Sequence, residues 1–167
     1  MNEQYYDVIV VGAGLSGIGM GCYLSKNLPN KKYLVVEARE ALGGTWDLFT
    51  YPGIRSDSAM YTLGYKFKPW TEEKTIADGA SILNYIKEAA NEYGVDQNIR
   101  YSSKIIAGDW DSKNLNWVIT IEDSKTGDTS KLRCGHLHMC SGYYDYDKGF
   151  TPDFPGLSSF KGKFIHP

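Results

Sequence analysis

The sequence is poor in the features that mark membrane, secreted and nucleic-acid-binding proteins. None of its 167 residues belongs to an uninterrupted apolar run of the roughly 18 residues that a membrane-spanning helix requires. The three cysteines form no CxxC pair, which excludes a disulfide framework and suits reduced thiols. A net charge of −2 argues against a nucleic-acid partner. The first lysine is Lys26, so the N-terminus lacks the basic start of a secretory signal, and we expect a cytoplasmic protein.

The first part of the chain has the pattern of a βαβ unit. Asp7–Val11 is a short β-branched run that predicts a buried strand, and Leu15–Leu28 has apolar residues near helical spacing. Tyr33–Glu37 predicts a second strand that ends in an acid. Residues 39–77 are rich in glycine and proline, so we predict a long loop with at most short helical turns, and such loops usually have a function.

The second part of the chain predicts one helix and a group of strands. Asp78 has the chemistry of an N-cap, and an apolar stripe follows it as far as Gly94. Strands are predicted at about 101–110, 115–123 and 129–134, then at Leu137–Cys140. The tail from Tyr143 has the composition of a linker. The order predicts an α/β fold, with a parallel sheet and a small antiparallel β-meander insert.

A glycine motif follows the first predicted strand. Gly12, Gly14 and Gly17 form GxGxxG at the start of the helix, and Glu37 follows twenty residues after Gly17. Gly12 suits a tight turn, Gly14 the approach of a pyrophosphate, and Gly17 close packing of helix on strand. Glu37 would accept a hydrogen bond from a ribose 2′-hydroxyl and repel a 2′-phosphate, which favours FAD or NAD over NADP here. The alternative is a glycine-rich turn in another α/β fold.

The segment after Glu37 bears on the choice between FAD and NAD. After Glu37 come five residues and then Gly43-Gly44-Thr45-Trp46, and a glycine pair lets the backbone pass close to a bulky flat ligand. An NAD dehydrogenase would normally continue with another helix and strand. Trp46 either contacts such a ligand or fills the core.

Two further polar patterns have structural alternatives. Asp57 lies in Arg55-Ser56-Asp57-Ser58, which has the chemistry of a turn or a helix cap. Cysteine and histidine alternate in Cys134-x-His136-x-His138-x-Cys140, but the ends of such a strand lie roughly 20 Å apart. One ion cannot bind all four side chains, so we predict a strand and no metal site.

Several of these motifs together resemble one family. The segments GAGLSGIGMGCYL, VVEAREALGGTWDLFTYPGIRSDSAMYTLGYKFKPW, HLHMCSGYYDYD and FPGLSSFKGKFIHP are similar, in this order, to class B flavoprotein monooxygenases. This family includes the Baeyer–Villiger monooxygenases and the flavin-containing monooxygenases. The segment GGTWDLFTYPGIRSDS resembles the Baeyer–Villiger branch most. A further family fingerprint, FxGxxxHxxx and an aromatic residue, begins at Phe160, Gly162 and His166. Its discriminating position, 170, lies beyond Pro167.

The resemblance implies a cofactor and a reaction. It implies a Rossmann-like, three-layer FAD-binding domain, with NADPH and O2 used by the full-length enzyme. In this family NADPH reduces FAD, and a C4a-peroxyflavin then transfers one oxygen to a ketone or to sulfur or nitrogen of a small-molecule substrate. It also implies that residues 1–142 form an incomplete FAD-binding domain and that residues 143–167 lead toward an NADPH-binding domain that this chain lacks.

The resemblance also assigns site residues. Contacts with FAD are implied for Ser16, Glu37, Gly44, Thr45, Trp46, Asp47 and Leu48, in addition to the glycines of the motif, and for the backbone of Ile105. Arg55, Ser56 and Asp57 would lie where flavin and nicotinamide meet, and Asp57 matches the active-site aspartate of the family, which orients an arginine from the NADPH domain. Cys140-Ser141-Gly142 resembles the segment through which the chain leaves the FAD domain.

Two other functions compete with an active monooxygenase. The chain is alternatively a non-catalytic, truncated flavin-binding remnant, which would be yellow but would not oxidise NADPH. It is alternatively an NAD-linked reductase, which would be protected from thermal unfolding by NAD and would show no flavin absorbance.

Overall fold

The structure, a computed structural model, describes residues 4–165, which form one sheet with helices on one of its faces. The strands are β1 (Gln4–Val11), β2 (Tyr33–Val36), β3 (Ile99–Arg100), β4 (Ser103–Asp111), β5 (Asn116–Asp123) and β6 (Thr129–Met139). The helices are α1 (Leu15–Asn27), α2 (Thr45–Leu48), α3 (Met60–Leu63) and α4 (Gly79–Glu92), with 3₁₀ turns at Asp96–Asn98 and Leu157–Ser159. No helix of the described part is long and apolar enough to span a membrane.

The sheet has the order β3-β2-β1-β6-β5-β4. Strands β3, β2, β1 and β6 run parallel, whereas β6, β5 and β4 form an antiparallel meander. The predicted α/β fold with a parallel sheet and an antiparallel meander is confirmed. Because β1, β2 and β6 are parallel, the segments that follow them meet at one edge of the sheet, where ligands bind in such folds.

The two strands predicted at 129–134 and at Leu137–Cys140 are one continuous strand, which is a correction to the sequence analysis. Gly135 separates the two apolar runs in the sequence, but the backbone passes through it without a break in the ladder to β1. A Cβ atom at Gly135 would lie 2.8 Å from the Tyr5 hydroxyl, so the glycine makes room for a side chain of β1. The short strand β3 was also absent from the sequence-based prediction.

One face of the parallel strands packs against α1 and α4. The predicted apolar stripe of α4 is buried there, with Ile82, Ile86 and Ala89 fully inaccessible, beside Ile18 and Cys22 of α1. Asp78 caps α4 as predicted, because its carboxylate accepts a hydrogen bond from the Ser81 N–H at 2.9 Å.

The opposite face of the parallel strands packs against the meander. Tyr6, Ile9 and Val36 contact a cluster formed by β5 and β6, whose buried members are Ile119, Ile121, Leu132 and Cys134. The molecule therefore has three layers: helices, parallel sheet and meander. The two buried cores lie on opposite sides of β1.

The predicted long loop at 39–77 contains only the single turns α2 and α3, as expected. Tyr85 of α4 orders its second half, since the Tyr85 hydroxyl accepts a hydrogen bond from the Tyr65 N–H at 2.7 Å and donates one to the Lys68 carbonyl. Burial raises the pKa of Tyr85, which keeps the hydroxyl protonated and able to donate.

Candidate dinucleotide-binding site

The glycine motif forms a tight turn at the carboxyl end of β1. Gly12 has φ +95°, and its N–H donates to the Val36 carbonyl of β2 at 2.8 Å. A Cβ atom at Gly12 would lie 2.6 Å from the Cys140 carbonyl oxygen, and one at Gly17 would lie 1.8 Å from the Gly12 carbonyl oxygen. Both positions therefore exclude a side chain for reasons of backbone packing alone.

The first turn of α1 is chemically open to an anion. Gly14 is its N-cap, and the first helical hydrogen bond runs from the Ile18 N–H to the Gly14 carbonyl at 3.0 Å. No described side chain caps this turn, and the turn contains no acidic residue. The amide donors and the positive end of the helix dipole thus match the charge and acceptor oxygens of a pyrophosphate. Ser16, predicted to contact the cofactor, is exposed on this turn.

Glu37 binds the backbone of the glycine motif and that of the loop after β2. Its side chain is 7% exposed, and its carboxylate accepts hydrogen bonds from the Ala13 N–H at 2.7 Å and the Arg39 N–H at 2.9 Å. The sequence predicted a ribose acceptor and did not predict these two bonds. Since each carboxylate oxygen has two lone pairs, both oxygens can accept a second hydrogen bond.

The Gly43-Gly44 pair lies directly against the glycine motif. The Gly43 N–H donates to the Ala13 carbonyl at 2.9 Å, and a Cβ atom at Gly44 would lie 3.1 Å from the Gly14 Cα. Gly43 and Gly44 both have positive φ, +120° and +56°. The two loops therefore form one continuous surface of backbone, as a site for a dinucleotide requires.

Arg39 is a site residue that the sequence analysis missed. Its guanidinium donates to the Asp47 carboxylate at 2.8 Å and to the Gly44 carbonyl at 3.2 Å. This arginine holds α2 against the end of β2, next to Glu37. The opposite charges of Arg39 and Asp47, eight residues apart, were the one feature of the sequence that pointed to this pair.

The residues of α2 divide between the core and the surface. The ring of Trp46 packs against the core formed by α1 and α4, which is the structural alternative considered for it. Thr45 faces the other way, and its hydroxyl lies 3.3 Å from the hydroxyl of Tyr146. Asp47 is engaged by Arg39, and Leu48 is half-buried.

The segment from Arg55 to Asp57 has one buried and two exposed side chains. Ser56 is 2% exposed, and its hydroxyl accepts a hydrogen bond from the Ala77 N–H at 3.1 Å, so this side chain is used to fix the loop. Arg55 and Asp57 are exposed on either side of it. Asp57 accepts a hydrogen bond from the Ser58 hydroxyl at 3.1 Å and does not cap α3, whose N-cap is Ala59.

Two further segments lie beside the glycine motif. The Cys140 N–H donates to the Val11 carbonyl at 2.8 Å, so the chain leaves β6 next to Gly12, and burial raises the pKa of the Cys140 thiol. Strand β4 starts beside Glu37, because the Ser103 N–H donates to the Glu37 carbonyl at 2.8 Å. Ile105 follows two residues later, half-buried against the core under the meander and next to a β-bulge.

The alternating cysteines and histidines of β6 do not converge on one point. Cys134 is buried in the core under the meander, whereas Cys140 packs against the core formed by α1 and α4. Residues 4–165 contain no group of three histidine, cysteine, aspartate or glutamate side chains placed to hold a metal ion. His166, the last residue of the fingerprint in this chain, lies outside the described residues.

Known proteins with similar sequences and structures place this geometry in a family. The NAD(P)-binding Rossmann-like domain family matches residues 10–71. FAD-containing monooxygenase EthA is 50% identical over 164 residues in Mycolicibacterium smegmatis and 49% identical over 164 residues in Mycobacterium tuberculosis; each match covers 98% of this chain and 33% of that protein. A crystal structure of OTEMO in complex with FAD and NADP is 28% identical, with a TM-score of 0.75 over 97% of this chain and 29% of OTEMO.

The chain is similar to FAD-containing monooxygenases over 98% of its own length. The resemblance to class B flavoprotein monooxygenases is thus confirmed, with agreement in sequence and in fold over nearly all of this chain. The chain spans about a third of the length of the relatives it matches. The glycine motif, Glu37 and the Gly43-Gly44 pair all lie within the part that matches the Rossmann-like domain family.

Proposed function

We propose that this chain binds FAD and forms the FAD-binding part of an NADPH- and O2-dependent monooxygenase of the Baeyer–Villiger type. One observation carries the proposal: the buried Glu37 carboxylate is hydrogen-bonded to the glycine motif, beside an uncapped helix N-terminus. This combination suits a ribose hydroxyl next to a pyrophosphate. The relatives that are FAD-containing monooxygenases, and the OTEMO complex with FAD and NADP, support FAD as the dinucleotide.

The residues of the site take distinct roles in this proposal. Gly14 and Ser16 hold the pyrophosphate on the turn that Gly12 and Gly17 make possible, and Glu37 accepts a ribose hydroxyl. Gly44, Thr45, Asp47 and Leu48 contact the middle of the cofactor, and the backbone of Ile105 contacts the adenine. Because the Trp46 side chain packs against the core, its role is limited to holding α2 in place. Bound FAD would supply the electron transfer and oxygen transfer, and the protein excludes water from it.

Arg55 and Asp57 take the catalytic end of the site in this proposal. Both side chains are exposed and available, whereas Ser56 fixes their loop to Ala77. Asp57 orients an arginine supplied by the NADPH-binding part of a full-length enzyme, and that arginine stabilises negative charge during oxygen transfer. We also propose that residues 1–142 are the FAD-binding domain, that residues 143–167 are a linker, and that the protein is cytoplasmic.

Two measurements on the 167-residue chain test the proposal. Protein purified in the presence of FAD and then desalted is expected to retain flavin absorbance near neutral pH. The same protein is then assayed for oxidation of NADPH in air. Retained flavin would support FAD binding, and oxidation of NADPH by the same protein would exclude the alternative of a non-catalytic flavin-binding chain. Absence of flavin, together with protection from thermal unfolding by NAD, would support the NAD-linked reductase instead.

The role of Asp57 requires a full-length relative into which these 167 residues are grafted. Asp57→Ala is expected to leave FAD bound and to reduce oxygenation by a factor of roughly 100 or more, as expected when a group that organises charge in the transition state is removed. Asp153→Ala, in the exposed tail, is the matched control and should oxygenate normally. Normal oxygenation by Asp57→Ala would show that Asp57 has no role in the active site.

A further inference from the structure

Four aromatic side chains form a cluster next to the Gly43-Gly44 pair. Phe49 is at its centre, with ring centroids 6.3 Å from Tyr51, 6.4 Å from Tyr144 and 6.0 Å from Tyr146. Its contacts with Tyr144 and Tyr146 are edge-to-face, at interplanar angles of 86° and 82°. We refer to these four residues, Phe49, Tyr51, Tyr144 and Tyr146, as the aromatic cluster.

The aromatic cluster joins two segments that are far apart in the sequence. Phe49 and Tyr51 follow α2, whereas Tyr144 and Tyr146 belong to the tail beyond Gly142. The Tyr146 hydroxyl lies 3.3 Å from the Thr45 hydroxyl and 3.9 Å from the position of a Cβ atom on Gly44. The start of the tail is therefore packed against the loop that lies next to the glycine motif.

The ring of Tyr144 also contacts that of Tyr143, with ring centroids 4.5 Å apart. The pKa of Tyr144 is raised above its ordinary value, mainly by a hydrogen bond with Tyr143. The negative charge of Asp57 acts in the same direction. The contacts thus connect Glu37, the glycine motif, Gly44 and Thr45, and the aromatic cluster.

The aromatic cluster leaves part of the surface of its rings accessible to a ligand. Three of its four rings are about half exposed: Tyr51 by 53%, Tyr144 by 54% and Tyr146 by 43%. Exposed tyrosine rings on a shared site offer flat apolar surface together with hydroxyl groups, a combination that suits a planar, polar ring system. The ring of a flavin is such a ligand, and the adenosine of the same dinucleotide belongs near Glu37 at the other end.

We propose that the aromatic cluster contacts the isoalloxazine ring of bound FAD, so that Tyr144 and Tyr146 of the tail supply part of the ring-binding end of the site. This inference rests on the proposed function, because it requires FAD to bind at the glycine motif. It assigns a binding role to the first residues of a segment whose composition predicts only a linker. It also makes the cluster a determinant of specificity for FAD over ligands that contain the adenosine diphosphate part alone.

The test compares FAD with ADP by isothermal titration calorimetry on the full 167-residue chain. ADP has the adenosine and pyrophosphate but no flavin ring. Phe49→Ala and Tyr146→Ala are each expected to weaken FAD binding by about tenfold, which is what a lost aromatic contact costs. Their affinity for ADP should stay within about twofold of the unchanged chain, because ADP has no flavin ring for the cluster to contact. Retained ADP binding also shows that these variants fold.

Two control variants sharpen the test. Tyr146→Phe removes only the hydroxyl and is expected to keep most of the FAD affinity. Phe150→Ala removes an aromatic residue of the same tail that is 82% exposed, and it should bind FAD as the unchanged chain does.

The outcomes separate this inference from the proposed function. Unchanged or tighter FAD binding by Phe49→Ala and Tyr146→Ala would overturn the inference while leaving FAD binding in place. Equal losses of FAD and ADP affinity would also overturn it, because the cluster would then act only through the fold. An unchanged chain that binds neither FAD nor ADP would refute the proposed function itself.

Discussion

Glu37 shows how one side chain serves both the fold and the site. Its carboxylate is nearly inaccessible and accepts hydrogen bonds from the Ala13 and Arg39 backbone N–H groups. Hydrogen bonds to a charged acceptor are stronger than those between neutral groups, and loss of the acceptor leaves buried donors without a partner. We therefore expect Glu37 to matter for stability even before any nucleotide binds.

Replacement of Glu37 by glutamine tests this double role. Gln keeps one acceptor oxygen but presents an NH2 group to an N–H donor, so we expect a loss of about 1–3 kcal/mol in the free energy of unfolding. Urea denaturation without nucleotide measures this loss. Glu40→Gln is the matched control, because Glu40 is exposed and pairs with Lys125 at the surface. Equal stability of the two variants would show that the two backbone hydrogen bonds contribute nothing.

Replacement of Glu37 by arginine tests the ligand-binding role. The variant loses the ribose acceptor and adds a buried positive charge beside two N–H donors, so FAD affinity should fall by more than about tenfold. Flavin fluorescence titration of the folded fraction measures the affinity. Unchanged affinity for FAD would place the adenosine elsewhere on the molecule.

Among the helices, α4 has the clearest local sequence signals. Asp78 caps it through the Ser81 N–H and the Ser81 hydroxyl, at 2.9 and 3.0 Å. The hydrogen bond from the Ser81 N–H is the main reason why the pKa of Asp78 is lowered. The folded protein thus favours the ionised form of Asp78. The stabilisation by this ionised cap is complete above the ordinary pKa of an aspartate, near 4.

Removal of this cap has a predictable dependence on pH. Asp78→Ala should lower the free energy of unfolding by about 1 kcal/mol at pH 7. The difference should shrink as the pH falls below about 4 and through the lowered pKa of the folded state, since a protonated carboxyl caps less well. Urea denaturation at pH 7 and at about pH 3 measures both values, with Asp153→Ala as an exposed control. A difference that is constant with pH would contradict the role of the ionised cap.

Local sequence was sufficient for some elements and insufficient for others. The stripe from Ile82 to Ala90 and the Asp78 cap predict α4 because both act within a few residues. Strand β6 was divided in the prediction because Gly135 is a common strand breaker, and only the neighbouring Tyr5 explains why it continues. The second half of the long loop depends on contacts such as those of Tyr85 with Tyr65 and Lys68, which come from another part of the chain.

At the scale of the whole molecule, the site arises where three parallel strands end. The glycine motif, Glu37 and the segment after Cys140 follow β1, β2 and β6, and the sequence predicted the first two because the βαβ unit has a known geometry. It did not predict the contact between Thr45 and Tyr146, which lie 101 positions apart. Nor did it predict the Arg39 contacts, since these depend on how the long loop folds back.

The three layers explain how a chain of 167 residues presents this site in a fixed geometry. One core lies between the parallel strands and the helices α1 and α4, and the other lies between those strands and the meander. Strand β1 has buried side chains in both, with Val10 in one and Ile9 in the other. The turn at Gly12 thus follows a strand that is buried on both of its faces.

The central claim is that the glycine motif and Glu37 bind the adenosine diphosphate part of FAD. The most direct measurement is a titration of the 167-residue chain with FAD, followed by displacement with ADP and, separately, with FMN. The account predicts that FAD binds one to one and that ADP displaces it, whereas FMN, which has no adenosine, displaces it poorly. Failure of FAD to bind, or displacement by FMN as effective as that by ADP, would contradict the account.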